Sequence, residues 1–395
     1  MSTSFVLDWV KSATAKFVYA DGMREALSLA LAANLRVLFS GPGGHGKSEF
    51  FVDAFGAIKG EVPFVQQFGQ ATTPEKLFGG LDLRAFNDPQ DPSMRFRVDH
   101  SFLCKPVVIF EEVLDAPFSA LTSLKDPLTA GELRNGHQRE LMTTRILVAA
   151  TNHSPQEFAE LGVDVAALIE RFPVQLTVEW PSYDAENFQA MFDTVDAAVG
   201  SELQYVTLQD IEELRERTAE VVFSKNMLKL LSIVLSELHD DKVAMSPRTA
   251  IYARQLVRAA AAINCRDNVI SSDIQVLTYL PGCNGLRGRI TQMIKDHMPN
   301  LRPDTSEVAI PVVMTPEEVV KDAEIQLETF RKAHKQLRTK QDLDAKAVEL
   351  AGYLSRLRVV RCEGKVRDEL LELIEKLTAV HADFRQKAKS MNGGW

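Results

Sequence analysis

Cysteine is scarce in this 395-residue chain: Cys104, Cys265, Cys283 and Cys362 are its only examples, and no two stand at metal-ligand spacing. Such a set excludes a disulfide-stapled scaffold and a cysteine-built zinc site, and reads as the reduced thiols of a cytoplasmic protein. Long apolar runs are missing too. None reaches the ~18 residues of a membrane span, and no secretory leader pattern is visible at the start. Nor is there a basic excess: 54 Asp and Glu stand against 45 Lys and Arg, a formal net charge of −9. General binding to a phosphate backbone is therefore not expected as the main role, although a local basic patch stays open. What is left is an ordinary composition, 45% hydrophobic and 25% charged, in a chain long enough for two or three domains.

Against these absences stands one dense stretch, Gly41-Pro42-Gly43-Gly44-His45-Gly46-Lys47-Ser48. Glycine, four residues, then Gly-Lys-Ser is the pattern of a phosphate-binding loop, and the flanks suit it. Leu35 to Phe39 reads as a short buried strand, and Glu49 to Phe55 as the first turns of a helix. The glycines let backbone N–H groups turn toward a phosphate, and a helix N-terminus adds partial positive charge. In that geometry Lys47 reaches the β- and γ-phosphates of ATP and the Ser48 hydroxyl holds Mg²⁺.

Further apolar runs mark a parallel sheet. Strands are expected near 35–39, 62–68, 107–110, 146–150 and 174–178, with helices between most of them, in a doubly wound α/β layer of five strands. Ligands bind at the carboxyl ends of strands in such sheets. Val107-Val108-Ile109-Phe110 ends in Glu111-Glu112, and Ile146 to Ala150 ends in Thr151-Asn152. At those tips Glu111 joins Ser48 as a metal ligand, Glu112 activates the attacking water, and Asn152 positions the water or touches the γ-phosphate.

Two hairpins are expected within this layer. Leu81-Asp82-Leu83-Arg84-Ala85 and Met94-Arg95-Phe96-Arg97-Val98-Asp99 both alternate around a turn-rich loop, so 81–99 reads as one. Its arginines, Arg84, Arg95 and Arg97, form either a solvated face or a partner-facing finger. Asn135-Gly136 marks the second, within 128–145. The first 183 residues then form the nucleotide-binding core, opened by an amphipathic helix over 1–19 (Phe5, Trp9, Val10, Phe17). Residues 184–285 read as an all-helical lid. In it Ser246 caps a helix, Pro247 begins it, and Arg248 sits in the first turn, where a cation opposes the helix dipole and suits an anionic ligand. A linker is expected over 286–314, around Pro299, Pro303 and Pro311. Beyond a capping box at Thr315-Pro316-Glu317-Glu318, three runs with 3/4 apolar spacing predict a helical bundle or hairpin over 315–390, with His334 as a core histidine. Arg171, at the end of a helix after Asn152, is the candidate for a finger reaching a neighbour's site.

These pieces resemble a known family. GPGGHGKS (41–48), TTPEKLFGGLDL (72–83), VVIFEEVLDAP (107–117), LVAATN (147–152), ALIERF (167–172) and MSPRTA (245–250) are similar, in order, to an AAA+ ATPase of the MoxR group, nearest its RavA-like branch. The resemblance implies ATP hydrolysis with Mg²⁺ in a ring, usually a hexamer, with Asn152 as sensor 1, Arg171 as arginine finger and Arg248 as sensor 2. ATP binding and hydrolysis are then expected to move the lid against the sheet and the subunits against each other. The resemblance further implies a chaperone-like remodeller that activates a protein client, often with a partner carrying a von Willebrand factor A domain. A nucleic-acid motor of the same superfamily and a nucleotide-gated scaffold with slow hydrolysis are the alternatives. Two positions depart from the pattern: Glu111 replaces the usual Asp of its strand, and Gly43 replaces a proline.

Overall fold

Strands that are apolar at every position need cover on both faces of their sheet. The computed structural model of the chain, which describes residues 4–90, 92–160, 163–198, 202–298, 316–337, 339–357 and 364–390, has that cover. Helices α1 (Ser4–Ala13) and α2 (Asp21–Ala33) precede β1 (Val37–Ser40), and the glycine loop leads into α3 (Lys47–Gly56). Then come β2 (Phe64–Gln67), the single turns α4 (Pro74–Leu77) and α5 (Leu83–Phe86), and β3 (Val107–Glu111). Helix α6 (Phe118–Ala130) runs into the hairpin of β4 (Glu132–Asn135) and β5 (Gln138–Leu141), followed by β6 (Ile146–Ala150). Short helices α7 (Pro155–Glu160) and α8 (Val163–Ile169) return the chain to β7 (Val174–Thr177).

The sheet has five parallel strands in the order β2-β3-β6-β1-β7. Side chains alternate across it, as a strand's period of two requires. Val37, Phe39, Val107, Ile109, Val148 and Ala150 point to one hydrophobic cluster; Leu38, Val108, Phe110, Leu147 and Ala149 point to another. The first cluster holds α1–α3, the second α6 and α8. Phe50, Phe51 and Phe55 of α3 are fully buried, and Phe51 stacks on Phe39 of β1 with ring centroids 4.5 Å apart. Each such ring contributes on the order of 1.5–3 kcal/mol, so the helix behind the glycine loop is rigidly rooted.

The rest of the chain is helical: α9 (Ala185–Ala198), α10 (Leu208–Glu220), α11 (Lys225–Asp240), α12 (Pro247–Ile263) and α13 (Arg287–His297). Buried residues of α10 to α13 belong to the same cluster as α2 and α3. One continuous core thus joins the helical part to the sheet. The linker expected from residue 286 is corrected. Residues 287–297 form α13, whose Ile290, Met293 and Ile294 are buried at helical spacing. The remaining stretch, 299–315, lies outside the described residues, and with it Thr315 of the expected capping box. Finally α14 (Pro316–Gln336), α15 (Lys340–Leu357) and α16 (Gly364–Ser390) enclose a core of their own, including Phe330, Leu350, Leu377 and Phe384. His334 stacks edge-on against Phe384, 5.1 Å between centroids.

The hairpin expected over 81–99 does not form. Only Leu81 and Phe96 pair, in a single antiparallel bridge. Asp82 ends the alternation because its carboxylate accepts from the backbone N–H groups of Arg84 (3.0 Å) and Ala85 (3.3 Å), capping the turn α5. The hairpin within 128–145 does form, as β4 and β5, while residues 128–130 still belong to α6.

Candidate nucleotide site

The loop is shaped by glycines where no other residue fits. Gly41 has φ +121°, and a Cβ there would lie 2.5 Å from the carbonyl oxygen of Val178. Gly46, at φ +71°, starts α3, and a Cβ there would meet the Phe17 ring at 2.8 Å. The stretch after α1 therefore lies against the loop, held further by Lys16, which pairs with Glu49 (2.5 Å) and Asp53 (2.8 Å) of α3.

Within this frame Lys47, Asn152 and Glu112 form one chain of hydrogen bonds. Lys47 is 5% exposed. Its ammonium donates to the carbonyls of Gly41 and Pro42, both at 2.7 Å, and to Oδ1 of Asn152 at 3.0 Å. The Asn152 amide donates in turn to Oε1 of Glu112 at 2.5 Å, and its backbone N–H donates to Oε2 at 3.1 Å. Burial holds the Lys47 ammonium below the usual lysine range, and the Glu112 carboxylate works against that shift. Glu112 itself stands in a left-handed conformation, φ 53°. Topology makes this meeting possible: β3, β6 and β1 are adjacent and parallel, so their carboxyl tips carry Glu111-Glu112, Thr151-Asn152 and the loop to one edge. Nearby, His153 pairs with Asp115 at 2.8 Å, fixing the segment after Asn152 to the one after Glu112.

Ser48, in the first turn of α3, and Glu111, the last residue of β3, are both half-buried. A hydroxyl and a carboxylate are the hard oxygen donors that suit Mg²⁺, which takes one or two protein ligands beside phosphate oxygens and water. Among the described residues no cluster of three or more His, Cys, Asp and Glu could hold a metal by itself. The donor set fits a Mg-nucleotide: a glycine loop at a helix N-terminus, an ammonium, and oxygen ligands beside it.

His45 carries a contact that the motif did not disclose. With its proton on Nδ1 the ring donates to the loop carbonyls of Pro42 (3.0 Å) and Gly43 (3.1 Å), and Nε2 accepts from the Tyr183 hydroxyl at 2.9 Å. Tyr183 stacks on Trp180 and packs near Phe188, while Tyr19 meets Trp180 edge-on. The only signal in the chain was a histidine at a variable loop position and Trp-Pro-Ser-Tyr after the last strand.

The two arginine candidates lie elsewhere. Arg171 follows α8, and its guanidinium donates to Thr129 Oγ1 at 3.1 Å and to the Ala167 carbonyl. Its own carbonyl accepts from Arg36 at 3.5 Å. Arg36 immediately precedes β1, whereas the loop follows β1, and four strand residues span about 13 Å. Arg248 is exposed in the first turn of α12, behind the Ser246–Thr249 capping box. Tyr252, one turn on, is close enough to Arg36 to act on its charge. In addition, Arg215 of α10 bonds the carbonyls of Leu31 (3.1 Å) and of Arg145, just ahead of β6, at 2.9 Å. The helical part thus covers the amino ends of the strands. Arg248, expected to act from the lid on its own chain's nucleotide, makes no hydrogen bond or ion pair with the loop among the described residues; through Tyr252 its helix lies on the Arg36 side.

Comparison with known proteins agrees with this geometry. A family model described as the MoxR domain in the MoxR-vWA-beta-propeller ternary systems matches residues 5–216. Among solved structures, a candidate ATPase from Cytophaga hutchinsonii aligns with a TM-score of 0.55, over 76% of this chain and 95% of that one. At 16% identity that likeness is one of fold.

Proposed function

The chain belongs to the MoxR family and has the AAA+ fold, and on that premise we propose that it is a Mg-dependent ATPase working as a ring, an activator or remodeller of a protein partner. The observation that carries this reading is the bonded series Lys47–Asn152–Glu112 at the mouth of the glycine loop.

The loop N–H groups and Lys47 bind the triphosphate. Lys47 gives its N–H groups to two loop carbonyls and Asn152, so binding exchanges carbonyl oxygens for phosphate oxygens. That exchange releases the Asn152 Oδ1 from Lys47 while the bonds from Asn152 to Glu112 remain. Glu112, oriented by those bonds, accepts the proton of the attacking water, while the released Oδ1 orients that water. Ser48 and Glu111 would hold Mg²⁺ when the nucleotide is bound, and the ion would supply charge neutralisation at the phosphate oxygens. Arg171 lies beside Arg36 at the amino end of β1, and Arg248 makes no bond to its own loop among the described residues, so both are assigned to the site of a neighbour in a head-to-tail ring, a hexamer by family resemblance. A finger of this kind contributes on the order of 10³–10⁵ in rate.

The partner, by the family's description, is a protein with a von Willebrand factor A domain, alongside a β-propeller protein. We place the work in the cytoplasm; among the described residues no helix is long and apolar enough to cross a membrane.

The test is Glu112→Gln. The variant keeps nucleotide affinity, loses phosphate release, and accumulates as an ATP-bound oligomer that retains its partner in a pull-down. Turnover by Glu112→Gln at the unmodified rate sinks the assignment, and turnover by a strictly monomeric protein sinks the ring.

A further inference from the structure

Helix α9 is an anomaly in this fold: fourteen residues long, amphipathic, and with none of them buried. Phe188, Phe192 and Val195 form one stripe at helical spacing, and Phe192 is 54% exposed. Glu186, Asp193 and Asp196 form the adjoining stripe, and from Ser182 to Ala198 there is no Lys or Arg. The helix stands on the loop side of the molecule, because Phe188 packs on Trp180 (5.9 Å) and near Tyr183, whose hydroxyl bonds His45 of the loop.

A second patch has the opposite character. On α12 the side chains of Ile251, Arg254 and Arg258 share one face, and Val222 precedes Phe223, the ring those arginines cover. Ile251 is 60% exposed and Val222 55%. Both guanidinium groups lie over the Phe223 ring, at 5.7 and 5.9 Å. Burial and the charge of Arg254 push Arg258 below the usual arginine range, and no carboxylate offsets them. Two like charges sharing one ring, in a chain of net charge −9, invite an anion from outside.

We propose that α9 of one copy docks on this α12 face of the next copy, with Asp193 and Asp196 opposite Arg254 and Arg258 and with Phe192 and Val195 over Ile251 and Val222. The inference rests on the ring reading and names the junction that reading leaves open. In a head-to-tail assembly the loop edge of one subunit meets the arginine edge of the next. Helix α9 flanks the first edge, and α12, which carries Arg248 in its first turn, lies at the second. The same contact that closes the junction then delivers Arg248 to the neighbouring loop.

A charge swap tests this with the full chain. One variant carries Arg254→Glu and Arg258→Glu; the other carries Asp193→Lys and Asp196→Lys. Mass is followed by sedimentation with Mg²⁺ and a non-hydrolysable ATP analogue. Each variant alone is expected to assemble at least tenfold more weakly than the unmodified chain, with nucleotide affinity unchanged. Mixed one to one, they reassemble, because each reversed patch then meets its complement in an alternating ring. Where Arg258→Glu prevents folding, Arg254→Glu with Asp196→Lys runs the same swap. Assembly of either variant at unmodified strength, or a mixture that stays dissociated, overturns the docking while leaving the ring reading intact. If the unmodified chain stays monomeric yet hydrolyses ATP, both fail together.

Discussion

Replacing Asn152 with aspartate tests the centre of the site with almost no change of shape. The asparagine amide lies between an ammonium and a carboxylate, accepting from Lys47 at 3.0 Å and donating to Glu112 at 2.5 Å. Aspartate keeps the first contact and reverses the second: two carboxylate oxygens then face each other, and Glu112 retains only the backbone N–H of residue 152. A hydrogen bond to a charged group is worth about 1.5–3 kcal/mol. At about 1.4 kcal/mol per decade of rate, its loss slows turnover about 10- to 150-fold if the bond orients Glu112 for catalysis. Phosphate release under saturating ATP and Mg²⁺ measures the rate, and a fluorescent nucleotide measures affinity. Affinity should change far less, because Lys47 keeps its contact and the loop is untouched. Asn152 is at the surface end of β6, so thermal stability should hold. Turnover within twofold of the unmodified protein, with affinity intact, would show that the Asn152–Glu112 bond has no part in the reaction.

Gly41→Ala should destabilise the core by at least about 2 kcal/mol, since it combines a positive φ with a Cβ 2.5 Å from the Val178 carbonyl; thermal unfolding measures this, and nucleotide binding should fall with it. Tyr183→Phe removes the 2.9 Å bond to His45 while keeping the ring stacked on Trp180; the expected result is weaker nucleotide affinity by up to about fivefold, from one bond of about 1 kcal/mol, with unchanged stability. Burial pushes the Cys283 thiol up to about 12, so at pH 8 it should resist alkylation in the folded protein and react only after unfolding, as mass spectrometry of the labelled peptide would report.

Much of this arrangement was legible in the chain. A strand buried on both faces and a glycine loop declare themselves through consecutive residues, so β1, β3 and β6 and the loop between β1 and α3 were readable locally. So were Glu111, Glu112 and Asn152, because a parallel sheet delivers its carboxyl tips to one edge. Local pattern failed where a single side chain outweighed it. Asp82 capped a helical turn in the middle of an alternating stretch. Similarly, Pro299, Pro303 and Pro311 suggested a linker, yet all three lie beyond α13, whose own spacing of Ile290, Met293 and Ile294 carried the signal.

Sequence alone determined which ammonium, hydroxyl and carboxylates stand at the glycine loop and the strand tips, since their order along loop and strands leaves the fold no other way to present them. Tertiary structure alone decided where the helical part sits and what its arginines can reach. That depends on which apolar face of α10 to α13 finds which face of α2 and α3, a contact between elements some 200 residues apart that no local period encodes. The hydrophobic effect is indifferent to direction, so burial of those stripes specifies that the lid packs but not over which end of the strands; the tertiary packing of α10 and α12 on α2 decides that.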